Sequence, residues 1–159
     1  MTAAAFDFIC DLDNTVTDAS HRQHLVTNRP KNFKAFNLLA AKDPAIEPVC
    51  IAVRALRLAK GRCLFTSGRE GTHQNRQIAV DWLLEAGLST VIPDVPDTHL
   101  FMRPAKDYRA DDIVKEMLLR DHILAAGFCP IFALDDRDRV VAMWRRNGIP
   151  CFQVKEGNF

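Results

Sequence analysis

The sequence predicts an α/β fold built on a mainly parallel central sheet. Three observations predict it. Short β-type apolar runs alternate with segments of helical periodicity, and strands separated by helices imply βαβ crossovers. Three of the runs end in polar, reactive residues: Asp11/Asp13, Thr66/Ser67 and Asp135/Asp136. Ligands of parallel sheets bind beyond the carboxyl ends of the strands, so these groups would meet at one rim. Finally, the 159 residues are 48% hydrophobic and 26% charged. That supplies one core and excludes a disordered or collagen-like chain.

Each element follows from its pattern. Residues 6–10 form the first strand, which stops at Asp11-Leu12-Asp13. Across 47–60, Val49, Val53, Leu56 and Lys60 recur at helical spacing and Gly61 closes the helix. Residues 63–65 form the second strand. An amphipathic helix over 72–86 carries Ile78, Trp82, Leu83 and Ala86 and stops at Gly87. Residues 90–92 and 100–102 are short extended pieces between prolines. A helix over 111–126 carries Ile113, Val114, Met117, Leu118 and Ile123 and ends at Gly127. Residues 131–134 form a strand, 137–147 a short helix before Gly148, and 151–154 a last strand. The least regular stretch, 18–48, is expected to be a flap or loop-plus-helix excursion. With no repeat, low-complexity tract or linker, 1–159 reads as a single domain.

Charge and cysteines bound the function. Lys and Arg number 21 against 20 Asp and Glu, a net charge of +1. This excludes a generally basic nucleic-acid coat but leaves room for a local basic groove. No apolar run is long enough to span a membrane, and the N-terminus lacks the pattern of a signal peptide. The five cysteines are odd in number and include no C-x-x-C pair. They read as reduced thiols, so a cytoplasmic location is expected.

Four segments carry chemistry. In Asp11-Leu12-Asp13-Asn14-Thr15 the i, i+2 spacing of an extended chain points both carboxylates the same way. Such a pair can divide nucleophile and proton-donor roles; it also fits a solvated acidic turn. In Leu134-Asp135-Asp136-Arg137-Asp138 the adjacent acids offer hard oxygens that suit Mg²⁺, or simply favour a helix N-terminus. In Phe65-Thr66-Ser67-Gly68-Arg69-Glu70 a hydroxyl, a backbone N–H and a guanidinium can hold one phosphate oxygen. Lys115 lies four residues after Asp111, the spacing of an ordinary helix-surface ion pair.

In this order (D-x-D-x-T, strand-end Ser/Thr, Lys, strand-end Asp-Asp) the segments resemble the haloacid dehalogenase superfamily, and Asp13 places the resemblance in its phosphatase branch. Arg22, the Thr66-Ser67-Gly68-Arg69-Glu70, Asp111-to-Glu116 and Ala133-to-Arg137 segments, the run Val140-Val141-Ala142-Met143-Trp144-Arg145-Arg146 and the tail from Cys151 look like the phosphatase domain of phage polynucleotide kinase-phosphatases. The resemblance covers nearly the whole chain, least well over 23–44. Asn14 departs from the Gly of that phage family. No G-x-x-x-x-G-K-[ST] loop occurs, so no kinase half is present, and a separate kinase or ligase partner is left open.

The resemblance implies a three-layer Rossmann-like fold without a large cap domain. It also implies a Mg²⁺-dependent phosphatase that removes 3′-phosphates from DNA or RNA ends through an aspartyl-phosphate, in a bacterial or phage-infected cytosol. Asp11 would be the nucleophile, Asp13 the acid and base, and Lys115 the cation beside the phosphate. Mg²⁺ would sit among Asp11, the Asp13 carbonyl, Asp135 as the more direct acid and Asp136 as the supporting one. Thr15, Ser67, Gly68, Arg22 and Arg69 would bind phosphate or substrate, with Asp111 orienting one of the two arginines. The choice of Ser67 over Thr66 rests on the Ser-Gly-Arg match alone.

The gaps between motifs are too short for a large cap, and an open site suits a polymer end. Arg22, Arg29, Lys31, Lys34, Arg103, Lys106 and Arg109 would line its groove. Phe33 and Phe36 could stack on bases, but core packing is the expected reading, as it is for Trp82 and Trp144. A small-molecule phosphatase or nucleotidase is the nearby alternative. A receiver-like signalling module is the remote one, because its acidic pair precedes its phosphoacceptor.

Overall fold

β1 (Phe6–Asp11) is the middle strand of a sheet ordered β3-β2-β1-β4-β5, and every strand pair in it is parallel. The computed structural model describes residues 5–89 and 99–157, so the extended piece expected at 90–92 lies outside the described residues. The other strands are β2 (Gly61–Glu70), β3 (Leu100–Arg103), β4 (Pro130–Asp135) and β5 (Cys151–Gln153). β2 is longer than the apolar run 63–65, because it continues through the polar Thr66-Ser67-Gly68-Arg69-Glu70 segment.

Alternation along β1 sorts two helical layers onto the two faces. Phe8, Cys10 and Leu12 are buried on one side with Cys50 and Val53 of α3 (Glu47–Leu58) and Trp82 and Leu83 of α4 (His73–Glu85). Ile9 is buried on the other, with Leu119, Ile123, Val140, Val141, Met143 and Trp144. The last four belong to α6 (Asp138–Arg146). Each fully buried large apolar side chain contributes about 1.5–3 kcal/mol. The helix expected over 111–126 is not uniform. α5 (Asp111–Met117) widens into a π-type turn over Leu118–Leu124, where the adjacent Leu118 and Leu119 are both buried.

After α3 it is Lys60, not Gly61, that takes the left-handed conformation, with φ 65°. Gly61 is required for space: a Cβ there would lie 2.7 Å from the Phe6 ring and 2.8 Å from the Leu56 carbonyl. The expected excursion at 18–48 is built from short pieces. They are a 3₁₀ turn at Ser20–Arg22, α1 (His24–Thr27), α2 (Phe33–Leu39) and a second 3₁₀ turn at Ala40–Lys42. No large cap is formed by the described residues. Among them no helix is long and apolar enough to cross a membrane.

The chain steps from β1 to β2 to β3 in one direction, then crosses back to β4 on the other side of β1. The strand order therefore reverses between β1 and β4. Parallel α/β sheets open a crevice at such a point, beyond the strand ends. Asp11 ends β1 and Asp135 ends β4.

Candidate active site

Asp11, Lys115 and Asp135 form a buried nest at this crevice. The alternation that buries Ile9 under the π-type turn and α6 puts Asp11 on the same face. Lys115, from α5, is only 2% exposed and donates to Asp11 Oδ1 at 2.6 Å and to Asp135 Oδ2 at 3.0 Å. Asp111 lies further off, 3.7 Å from Nζ. The helix-surface pairing that the spacing allowed is therefore subordinate to contacts across the sheet end. Burial opposes the Lys115 charge, but Asp11, Asp135 and Asp111 outweigh it and hold the ammonium well above its ordinary pKa. Thr15 donates its hydroxyl to Asp11 Oδ2 at 3.1 Å and so fixes that carboxylate. Asn14, in the Gly position of the phage family, adopts φ 62°, which Asn tolerates better than most residues.

The two motif acids of β4 differ sharply. Both Asp135 oxygens are saturated. Oδ1 accepts the Asp136 and Arg137 N–H groups at 3.0 and 3.3 Å, and Oδ2 accepts Lys115 and the Trp144 indole N–H, the latter at 3.1 Å. Trp144, expected as core, is core and also holds a site carboxylate. Asp136 has a buried Oδ2 with no hydrogen-bond partner. Burial and the Asp135 charge push its carboxyl up to about 6.

Oxygens of Asp11, Asp135 and Asp136 lie within 4.8 Å of one another. Three carboxylates against one directly bonded ammonium leave two negative charges in a buried space, and burial with this repulsion also raises Asp11. An orphaned carboxylate oxygen in an all-oxygen, electron-rich nest fits a hard divalent cation.

Asp13 lies beside the nest in a different setting. Its carboxylate accepts Arg69 Nε at 2.9 Å and Nη2 at 2.8 Å, and it is bonded as well by Arg22 Nη2. Burial alone would raise this carboxyl, but the Arg69 and Arg22 charges hold it well below the usual carboxylate range. With its side chain so engaged, Asp13 has only its main-chain carbonyl to offer a cation. Arg22 is itself fully buried, stacked on the Phe36 ring at 4.0 Å and bonded to Asp43. Asp43 also meets His21 Nε2 at 2.8 Å, and its carbonyl accepts the Trp82 indole N–H. Sequence reasoning missed Asp43, because no motif surrounds it and its partner is 21 residues away.

Ser67 and Thr66 are both fully buried. Ser67 Oγ accepts the Arg69 N–H at 3.2 Å, so its own proton remains to be donated. Thr66 Oγ1 has no partner. Gly68 is glycine for space, since a Cβ there would stand 2.3 Å from Asp111 Oδ1. The expectation that Asp111 orients Arg22 or Arg69 is corrected: it contacts Arg103 at 3.4 Å, Arg137 at 3.5 Å and Lys115, the cations on its own side of the cleft.

A cavity of about 490 Å³ opens from this floor. Asp11, Asp13, Lys115 and Asp136 line it, whereas Asp135, Ser67 and Thr15 lie behind it. Of the expected groove cations, Arg103, Lys106 and Arg109 line it, and Arg22, Arg29, Lys31 and Lys34 do not. Phe33 does not join the core: it is 58% exposed on the cavity wall. α2 buries none of its residues fully, so Phe33 has no apolar layer to enter.

Comparisons with known proteins agree with this geometry. Residues 6–159 match the family described as the polynucleotide kinase PNKP phosphatase domain. The chain is 32% identical over 143 residues to a protein of Autographa californica nuclear polyhedrosis virus named as a bifunctional polynucleotide kinase/RNA ligase. That match spans 89% of this chain and 18% of the viral one. Among solved structures, it superposes over its whole length on a chain of a Pnkp1/Rnl/Hen1 complex, with TM-score 0.73 and 30% identity, covering 49% of that chain. A class C acid phosphatase from Bacillus anthracis shares the fold, at TM-score 0.62, 15% identity and 87% coverage of this chain and 54% of that one. The chain thus spans about half of the chain it matches in that complex and under a fifth of the viral protein.

Proposed function

Because the chain belongs to the family of polynucleotide kinase PNKP phosphatase domains, and is accordingly a phosphoric monoester hydrolase of the haloacid dehalogenase fold, we propose that it removes 3′-phosphates from nucleic-acid ends. The observation that carries this reading is the Asp11–Lys115–Asp135 nest, with the unpartnered Asp136 oxygen beside it, at the floor of an open cavity. The cavity leaves room for a strand to continue away from the reacting phosphate.

Asp11 is the nucleophile. Thr15 and Lys115 each hold one of its oxygens, which orients the carboxylate toward phosphorus. Lys115 and Arg69 offset the charge of the phosphate dianion, and Ser67, accepting the Arg69 N–H, holds the phosphate-binding segment from behind. Asp13 protonates the leaving 3′-oxygen and then takes the proton of the water that hydrolyses the aspartyl-phosphate. In the ligand-free arrangement Asp13 is ionised by its two arginines. A phosphate dianion draws Arg69 away, and loss of that cation raises Asp13 toward a pKa at which it carries the proton. Arg22 stays, anchored by Asp43, and keeps Asp13 in place. Asp11, Asp136 and the Asp13 carbonyl would hold Mg²⁺, with Asp135, its oxygens already bonded by four donors, supporting them from behind. When bound it would cancel the repulsion between Asp11 and phosphate and polarise the phosphoryl oxygens.

The kinship with a kinase/RNA ligase and with a component of Pnkp1/Rnl/Hen1 complexes supports a place in end healing, with a kinase or ligase as partner. The test is phosphate release from a 3′-phosphorylated oligonucleotide, the matching 5′-phosphorylated strand and a 3′-mononucleotide, with Mg²⁺ and with EDTA. Metal-dependent release confined to 3′ ends is expected. Turnover of the mononucleotide alone would replace this reading with that of a nucleotidase.

A further inference from the structure

Two exposed aromatic rings on the cavity wall take no part in the chemistry above. Phe33 is 58% exposed and Tyr108, the single tyrosine of the chain, is 92% exposed. Both line the cavity floored by Asp11. Phe36, next along α2, is already occupied under Arg22. A ring so exposed adds nothing to the core, yet it offers a flat apolar face to whatever enters beside it.

Tyr108 is also held in place. It sits in the 104–110 loop between β3 and α5, and one guanidinium ties that loop together. Arg103 Nη1 donates to the carbonyls on both sides of Tyr108, those of Asp107 at 3.0 Å and Arg109 at 2.7 Å. Arg103 Nε donates to the carbonyl of Gly68 at 2.7 Å, which couples the loop to the phosphate-binding segment. The Lys106 N–H donates to Glu70 at 2.8 Å, a second tie to the same strand. Phe33 is the first residue of α2, whose start is fixed by the Asn32 side chain accepting the Ala35 N–H at 3.0 Å. Both rings are thus presented from anchored backbone. The cavity, at about 490 Å³, is in the usual range for pockets that enclose one small-molecule-sized unit.

We infer that Phe33 and Tyr108 form a stacking subsite for the base of the 3′-terminal nucleotide, so that the enzyme acts on unpaired 3′-phosphate ends. This rests on the nucleic-acid reading of the site given above. A base in a blunt duplex end is paired and stacked on its neighbour, and its face reaches a protein ring only after the end frays. Stacking is indifferent to base identity, since every base has a π-face. The subsite therefore selects for an unpaired base and not for a sequence.

The experiment compares kcat/KM on three 3′-phosphorylated ends: a single strand, the same strand with a tetrahydrofuran abasic terminal residue, and a blunt duplex. It uses the wild type, Phe33→Ser, Tyr108→Ser and Tyr108→Trp. The wild type should favour the base-bearing single strand by about 10-fold or more over each of the others. In Phe33→Ser and Tyr108→Ser that ratio should fall toward one, through KM more than kcat. Tyr108→Trp should keep it. Equal rates on base-bearing and abasic ends by the wild type, or serine variants with an unchanged ratio, would overturn the subsite while leaving the 3′-phosphatase reading intact. Failure on every 3′-phosphorylated end, with glycerol phosphate still hydrolysed, would overturn both.

Discussion

Arg22 is clamped to Asp43 by two hydrogen bonds, Nε to Oδ1 at 2.7 Å and Nη2 to Oδ2 at 2.5 Å, with both side chains withdrawn from solvent. The same Nη2 also reaches Asp13. Asp43 therefore acts on the proposed proton donor through one intervening residue, Arg22. It satisfies a buried guanidinium that would otherwise be free to turn off Asp13.

Asp43→Asn removes one carboxylate from a buried network and leaves Arg22 with Asp13 as its remaining charged partner. Loss of such charge-assisted hydrogen bonds costs about 1.5–3 kcal/mol. The urea midpoint should fall with an unchanged m-value. If Asp43 also positions, kcat should drop in the protein that remains folded while KM changes little. A lower midpoint with unchanged kcat would make Asp43 purely structural.

Gly68→Ala tests the packing of the cleft wall. The new Cβ would come within 2.3 Å of Asp111 Oδ1, so Asp111 or the Gly68 backbone must shift. Asp111 touches Lys115, and Gly68 precedes Arg69, so the shift reaches the nest either way. A displacement of about 1 Å can cost roughly 100-fold in rate. Phosphate release should fall by at least about 10-fold, with little change in unfolding temperature; full activity would mean that the wall yields without disturbing the site.

Asp136 carries the unpartnered oxygen, and Asp135 is saturated by four donors. Asp136→Asn should therefore weaken Mg²⁺ binding while keeping the fold. The readout is the rise in unfolding temperature on Mg²⁺ titration. The wild type should be stabilised, and the variant should need about 10-fold more metal or more. Asp135→Asn should lower the unfolding temperature even without metal, since it loses charge-assisted bonds to Lys115. Equal Mg²⁺ stabilisation of wild type and Asp136→Asn would remove Asp136 from the metal site.

Asp7, at the far end of β1, supplies a pH dependence independent of the site. Burial would raise its carboxyl, but Arg62 Nε at 2.7 Å and the Cys129 N–H at 2.8 Å outweigh burial and lower it. A carboxyl lowered by folding contributes stability that is present above the unfolded pKa, about 3.9, and lost as pH falls through the folded value. Asp7→Asn should be less stable than wild type at pH 7 by about 1–2 kcal/mol. The gap should close below about pH 4, as judged by unfolding midpoints at each pH. A gap independent of pH would assign the loss to packing.

Much of this arrangement is legible in the sequence because strand ends are marked by a change of residue type. Asp11, Ser67 and Asp135 each follow an apolar run, and parallel topology carries them to one rim. Other features depend on the third dimension. The spacing of Lys115 from Asp111 fits both a surface pair and a buried ammonium, and only the packing of α5 against the sheet separates them. Trp144 and Trp82 satisfy the pattern of core residues, yet their indole N–H groups reach Asp135 and Asp43. Phe33 has the composition of a core residue, but its helix is too short and too polar at its flanks to be covered. The difference between Asp135 and Asp136 turns on hydrogen-bond donors, two of them main-chain, which leave no trace in residue type.

Attack of Asp11 on phosphorus leaves a covalent phosphoryl-enzyme. It can be trapped by mixing the protein, in excess, with an oligonucleotide carrying a radiolabelled 3′-phosphate in Mg²⁺, quenching in acid within one turnover and mapping the label. Label bound covalently to Asp11 is expected, stable in acid and lost in base, and absent from Asp11→Asn. Release of phosphate by the wild type with no labelled protein at any quench time, or label retained in Asp11→Asn, would contradict it.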